Sequence, residues 1–334
     1  NRWMNPKGKG IEHGIDGWRL DVAYEVAHPF WKDWRKHVRS INPEAYLTAE
    51  IVDEPENVKP YLQGDEFDGE MNYNFAFTSA EFFFNPEPTS ITASEYDQKL
   101  RELREIYPEG VAYVSQNLFG SHDSNRIGSH IVNRNNGIGN FRDWGNYFGA
   151  SKGENPNYST RKPQEDDIEL QKLFVIMQMT YVGAPMIYYG DEVGMWGGND
   201  PDSRKPMIWE DINYDDEVYN ADGSTHAPDK VEVNTDLYNH YKKLISIRNE
   251  NKALQVGSYK TVFTNDENGI FVFERVHEGE SIFVVINNSE TEQIVNIPEL
   301  ENGCFTDLLD GNTFDSGKEK MVPGKWGLIL KQCR

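Results

Sequence analysis

The chain contains no apolar run near the roughly 20 residues that a membrane-spanning helix requires, so no segment of it reads as a membrane span. Cysteine is nearly absent: Cys304 and Cys333 permit one disulfide without demanding it. Positive charge is scarce, with 33 Lys and Arg against 55 Asp and Glu and a formal charge of −22. That imbalance argues against nucleic acid or an anionic membrane surface as partner, because long-range steering would repel phosphate. A neutral polymer is not excluded. No signal peptide is visible; the sequence opens on Asn1, and the gene start is expected to lie upstream. The compartment stays open, with extracellular or periplasmic favoured over cytoplasmic. No internal repeat occurs. What is present is enough material for a full-sized core plus a smaller domain: 334 residues, 37% apolar and 13% aromatic.

Strand-like and helix-like runs alternate up to about residue 254, which implies a parallel sheet with crossover helices. Ile15 to Asp21 reads as a strand, followed by Phe30, Trp34, Val38 and Ile41 at helical spacing. Ala45 to Ile51, Val111 to Phe119 and Pro185 to Tyr189 read as further strands, and the run Phe67 to Phe77 holds another. A charged helix is expected around Tyr96 to Tyr107. Another is opened by a capping box of Asp166 with Glu169 and ended by Gly183. A last helix runs through Leu237, Tyr241 and Leu244, capped by Thr235 or Asp236. Residues 124 to 165 are polar and rich in Asn and Gly, too long for an idle connection, and are read as an excursion beside the site. From Gly257 short strands follow one another across Asn-Gly, Glu-Gly and Asp-Gly turns, the pattern of an antiparallel sandwich.

Three of the strand-like runs end in acid-bearing turns: GIDGWRLDVA with Asp21, LTAEIVDE with Glu50 and QNLFGSHDSNR with Asp123. Parallel α/β barrels build active sites from side chains at strand C-termini. Arg19 shares a strand face with Asp21 and would hold that carboxylate ionised and oriented. Two carboxyls about 5–5.5 Å apart are what a retaining glycosidase uses, and His122 beside Asp123 would hold sugar hydroxyls. A single strand-end acid is more often a cap or a solvated turn residue. Three of them, with Arg19 two before the first and His122 just before the last, favour chemistry.

These motifs resemble those of the α-amylase superfamily of glycoside hydrolases. DGWRLD is similar to the family segment that carries the nucleophile, here Asp21; AEI to the one with the acid/base, here Glu50; SHD to the one whose His and Asp bind sugar, here His122 and Asp123. GAPMIYYGDEVGM resembles the eighth-strand signature, whose Asp-Glu pair is structural. MNYNF and GGNDPDSRKPM look most like cyclomaltodextrinase, neopullulanase and maltogenic amylase. The resemblance implies that Asp200 and Arg204 reach a glucose unit on the nonreducing side of the cleavage point, unless the pair merely pins its loop. Trp196 is a candidate for sugar stacking against the alternative of loop packing. Tyr24 and Glu25 stand where many α-amylases carry the Lys-His that contacts sugar and calcium, so no metal site is expected in this chain, with calcium left open for a full-length protein. Val52 replaces an aromatic residue the family often has on the acceptor side.

The resemblance further implies that residues 1–254 hold a partial (β/α)8 catalytic barrel, about strands 4 to 8, and 255–334 a C-terminal β-sandwich. The missing N-terminal part of the barrel would be supplied by the rest of the protein or by a completing chain, and dimerisation stays open. The expected function is retaining hydrolysis of α-glucosidic bonds in maltooligosaccharides, dextrins or cyclodextrins. A transglycosylase, a debranching enzyme and a non-catalytic sugar-binding or scaffold relative are the alternatives.

Overall fold

The structure is a computed structural model that describes residues 1–136, 155, 157–300, 303–314 and 319–333. Five short strands come first: β1 (Gly17–Leu20), β2 (Tyr46–Ala49), β3 (Gly69–Glu70), β4 (Gln116–Asn117) and β5 (Ala184–Pro185). β1 pairs with β2 and β2 with β3, all parallel; Met71, directly after β3, bridges in parallel to Gln116, and β4 pairs in parallel with β5. Order in space therefore equals order in the chain. Helices such as His28–Ile41 and Glu165–Thr180 occupy the connections, as alternating strand and helix patterns demand.

The chain divides into two compact units. The first comprises Asn1–Phe75, Lys99–Leu118 and Gly183–Pro185, and so contains all five parallel strands. Its core gathers Leu47, Ala49 and Ile51 with Trp31 and Val38 of the helix His28–Ile41 and with Phe67. Asp68 fastens that helix to the sheet: its carboxylate accepts the Leu47 N–H at 2.9 Å and pairs with Arg35 at 2.7 Å and Arg39 at 2.8 Å. Gly17 permits the pairing of β1 with β2, because a Cβ there would meet the Tyr46 carbonyl oxygen at 2.1 Å.

Glu70 is fully buried in this unit, and desolvation pushes its carboxyl up to about 8, against the side chain of Tyr107. The folded state then holds a proton that the unfolded chain, at about 4.5, releases first. Stability contributed by this group is present below about pH 4.5 and is lost as pH rises towards about 8. Denaturation midpoints measured across that window are expected to fall with pH, and Glu70→Gln should flatten the slope; an unchanged slope in the variant would place the titration elsewhere.

The second unit comprises Ala76–Gln98, Phe119–Val182 and Met186–Arg334. A hairpin of β6 (Glu217–Tyr219) and β7 (Thr225–Asp229) precedes the helix Thr235–Glu250. Then come β8 (Ser258–Asn265), β9 (Ile270–His277), β10 (Glu280–Asn287), β11 (Gln293–Asn296), β12 (Phe305–Asp307), β13 (Thr313–Phe314), β14 (Glu319–Val322) and β15 (Trp326–Gln332). Six of them form a sheet in the order β13-β12-β15-β10-β9-β8, and β11 with β14 forms a second. Val272, Phe283, Val285 and Leu330 of the large sheet enclose a core with Val295 and Val322 of the small one. Phe271, Phe273, Val284 and Ile329, at the alternate positions, are equally buried, and the helix Glu165–Thr180 packs on β10 and β15. Burial on both faces explains why these strands read as near-continuous apolar runs.

Cys304 and Cys333 are bonded, with Cα atoms 5.2 Å apart, and the Cys333 N–H donates to the Cys304 carbonyl at 2.8 Å. Closing a loop of sequence separation 29 is worth about 3–4 kcal/mol in the chain-entropy view. The Cys304→Ser/Cys333→Ser double variant is accordingly expected to unfold at lower denaturant than the oxidised protein, and equal midpoints would refute this.

Several sequence readings are corrected. Phe67 to Phe77 is strand only at Gly69–Glu70; Tyr73–Phe83 is a helix, and since Phe75, Ala76, Ala80 and Phe83 are all buried its apolar run carries no period that separates helix from strand. Val111–Val114 is a helical turn before β4. The reciprocal cap of the helix Glu165–Thr180 lies two residues earlier than expected, with the Gln164 N–H donating to Asp167 at 3.0 Å. Asn234, not Thr235 or Asp236, caps the helix Thr235–Glu250. Within the polar stretch 124–165, Ile127–Asn133 is a buried helix; residues 137–154 lie outside the described residues. β13 and β14 were not foreseen.

Candidate active site

In the first unit the parallel register Leu20↔Ala49 brings the next residues of each strand, Asp21 and Glu50, side by side. An oxygen of one carboxylate lies within 4.8 Å of an oxygen of the other. Arg19 donates to both, from Nη1 to Asp21 Oδ1 and from Nη2 to Glu50 Oε1, while its Nε faces the Met71 sulfur at 3.4 Å. Expected as a partner of Asp21 alone, Arg19 joins both acids. The Glu50 side chain is 8% exposed and that of Asp21 69%, so one acid sits in the wall and the other is open to solvent.

Backbone geometry holds the pair. The Glu50 N–H donates to the Leu20 carbonyl at 2.9 Å and the Ala23 N–H to the Glu50 carbonyl at 3.0 Å. The Val22 N–H donates to Glu50 Oε2 at 3.1 Å. Val22 reaches that position in a left-handed conformation, φ 45° and ψ 48°, which is costly for a β-branched residue. Such strain persists only where the surroundings over-determine it; here it aims an N–H at the buried acid directly after Asp21. Tyr24 is exposed and its pKa is raised, first by partial desolvation and then by the charges of Glu25, Glu50 and Asp53.

In the second unit His122, Asp123, Asp200 and Arg204 come together. Arg204 Nη2 pairs with Asp123 at 2.8 Å, its Nε with Asp200 at 2.9 Å and with the His122 carbonyl at 2.9 Å. His122 Nε2 lies 3.1 Å from Asp123 Oδ2. All four side chains are between one-third and one-half exposed, within reach of a ligand. Trp196 is corrected: its side chain is buried, with 3% of the residue exposed, and its Nε1 donates to the Thr160 carbonyl at 3.1 Å. Lys162 and Lys205 each place an ammonium 5.8 Å from the ring centroid. The indole packs its loop and offers no open face for stacking. His130 is buried against Phe84 and Phe119, and desolvation pushes it down to about 3.

Residues 2–139 and 154–257 match the model of the α-amylase catalytic domain, and 261–323 that of the maltogenic amylase C-terminal domain. The chain belongs to the α-amylase family. Its catalytic domain is accordingly of the TIM-barrel type, followed by a β-sandwich. It is 35% identical over 290 residues to a cyclomaltodextrinase of Thermoanaerobacter pseudethanolicus, covering 87% of this chain and 40% of that protein. To neopullulanase 2 of Thermoactinomyces vulgaris it is 33% identical, covering 90% and 42%. A solved cyclomaltodextrinase structure superposes with a TM-score of 0.72 at 28% identity, covering 96% of this chain and 46% of that one. The chain thus spans about two-fifths of the length of these curated relatives. Among the described residues of this α-amylase family member, no helix is long and apolar enough to cross a membrane.

Proposed function

We propose that this α-amylase family protein hydrolyses α-glucosidic bonds of maltooligosaccharides, starch-derived dextrins or cyclodextrins with retention of configuration. The observation that carries the reading is the Asp21–Arg19–Glu50 arrangement, two carboxylates with oxygens within 4.8 Å. That spacing suits the retaining geometry of about 5–5.5 Å better than the roughly 6.5–9.5 Å of inverting enzymes.

Asp21, open to solvent, attacks the anomeric carbon while Glu50 gives its proton to the departing glycosidic oxygen. The glycosyl ester on Asp21 is then cleaved by a water that Glu50 deprotonates, which restores both carboxyls. Arg19 donates to both carboxyls and orients them towards each other. Asp123 and His122 take sugar hydroxyls, and Asp123 tightens as the ring distorts. Asp200 and Arg204 receive a glucose unit on the nonreducing side, with Arg204 exchanging Asp123 for sugar. No step requires calcium.

Residues 1–254 in this reading are strands 4 to 8 of the (β/α)8 barrel, and 255–334 the sandwich domain. Five parallel strands in chain order support this, as does the two-fifths coverage of the relatives. The remaining strands come from the rest of the protein or from a completing chain. The disulfide favours an oxidising compartment, extracellular or periplasmic.

The test is hydrolysis of maltoheptaose and β-cyclodextrin by this chain and by the full-length protein, with the product anomer followed by proton NMR. Release of the α-anomer by the full-length protein is expected. Initial release of the β-anomer, or no release from either protein, would refute the reading.

A further inference from the structure

We propose that Arg126 is a positioning residue for Asp123, forming with Asp191 a dry clamp at the base of the loop from Gly120 to Arg126; the inference rests on the hydrolase reading above. Arg126 is fully buried. Its Nη1 donates to the Tyr189 carbonyl at 2.6 Å and to Asp191 Oδ1 at 3.0 Å. The guanidinium carbon stands 4.5 Å from the Tyr188 ring centroid and 4.8 Å from that of Tyr189. Its backbone N–H donates to the Gly197 carbonyl at 3.1 Å.

The other end of the loop rests on the same acid. A Cβ at Gly120 would lie 3.3 Å from Asp191 Oδ2 and 3.3 Å from the Asn125 carbonyl oxygen, so Asp191 meets both ends of the segment that carries His122 and Asp123. Between those ends the chain is tightened by the Ser121 N–H to Ser124 Oγ at 2.8 Å and the Asp123 N–H to Ser121 Oγ at 3.2 Å. At the tip, by contrast, Asp123 is held by Arg204, whose side chain is 43% exposed.

The two grips differ physically. The exposed tip pair is screened and exchangeable, as a group that must release its partner for sugar requires. The base pair is desolvated: burial pushes the Asp191 carboxyl up to about 7 while Arg126 opposes the shift. Removing Arg126 would strand a buried acid and free the loop. The base therefore fixes where Asp123 stands, and the tip governs what it holds. Displacing a catalytic group by about 1 Å can cost about 100-fold in rate.

The experiment compares full-length wild type with Arg126→Met, Arg126→Lys and the control Ile329→Ala, which opens a cavity at a buried sandwich position. Maltoheptaose kinetics are read at a temperature where circular dichroism shows each variant folded. Arg126→Met is expected to lose about 100-fold in kcat with little change in KM, Arg126→Lys to lie between it and wild type, and Ile329→Ala to keep its kcat. The clamp is overturned if a folded Arg126→Lys or Arg126→Met retains wild-type kcat, or loses no more than the control at equal loss of stability. Should Arg126→Met fail to fold, Arg126→Lys decides. Should the wild type not turn over, the hydrolase reading fails by itself, and hydrogen exchange at the Asp123 amide decides the clamp: faster in Arg126→Lys but not in Ile329→Ala supports it, equal rates refute it.

Discussion

Full-length protein carrying Asp21→Asn is expected to lose at least about 10⁴-fold in kcat on maltoheptaose while binding the sugar with near wild-type affinity. The asparagine amide keeps the shape and an acceptor for Arg19 but cannot form the glycosyl ester. Since the Asp21 side chain is 69% exposed, the exchange should leave folding intact. Calorimetric titration with maltoheptaose, run beside the rate assay, separates lost chemistry from lost binding. Glu50→Gln should behave differently. It removes the proton donor, so natural substrates slow severely, while a glycosyl fluoride, whose leaving group needs no protonation, should still form the ester on Asp21. Hydrolysis by Asp21→Asn at the wild-type rate would remove that residue from its role.

The largest expected change in stability comes from Arg275→Met. Arg275 is fully buried and donates from Nη1 to the carbonyls of Thr180 at 2.7 Å and Leu254 at 3.1 Å, and from Nη2 to that of Gly257 at 3.0 Å. Thr180 ends the helix Glu165–Thr180, where outward carbonyls concentrate partial negative charge. Arg248 donates beside it, to the carbonyls of Met179 at 2.8 Å and Tyr181 at 3.2 Å, and burial first, then the charge of Arg275, push Arg248 down to about 10. Methionine would fill much of the space and leave three buried carbonyls without this donor, at about 3–5 kcal/mol in total. Urea unfolding followed by circular dichroism checks the value, and a loss below about 1 kcal/mol would show that the carbonyls find other partners.

Legibility followed the physics of each segment. β9, β10 and β15 were readable because Gly-containing turns bound them and their length is typical of strands. The strands β13 and β14 were not: Thr313–Phe314 and Glu319–Val322 are short, and only two of the four residues of β14 are buried. Asp21 and Glu50 were legible because each directly follows a strand whose apolar residues mark it. The shared grip of Arg19 was not, since strand register is a property of two segments at once. Arg126 was missed for the same reason, although an arginine three residues beyond Asp123 was a signal available in the sequence. Trp196 shows the reverse case: an aromatic residue in a site loop looks alike in sequence whether its face is open or covered.

The β1–β2 pairing carries a consequence for how this scaffold can change its stereochemistry. Because Asp21 and Glu50 each follow the last residue of a paired strand, the distance between them is set by strand register and is therefore quantised. Sliding one strand by a single residue would shift its acid by about 3.3 Å, about the increment that separates retaining from inverting spacing. The same slide would turn every side chain of that strand to the opposite face and drive the backbone beside Gly17 into its neighbour. Interconversion by sliding is closed to this sheet, so a variant that inverts would have to recruit a carboxylate from a different strand end.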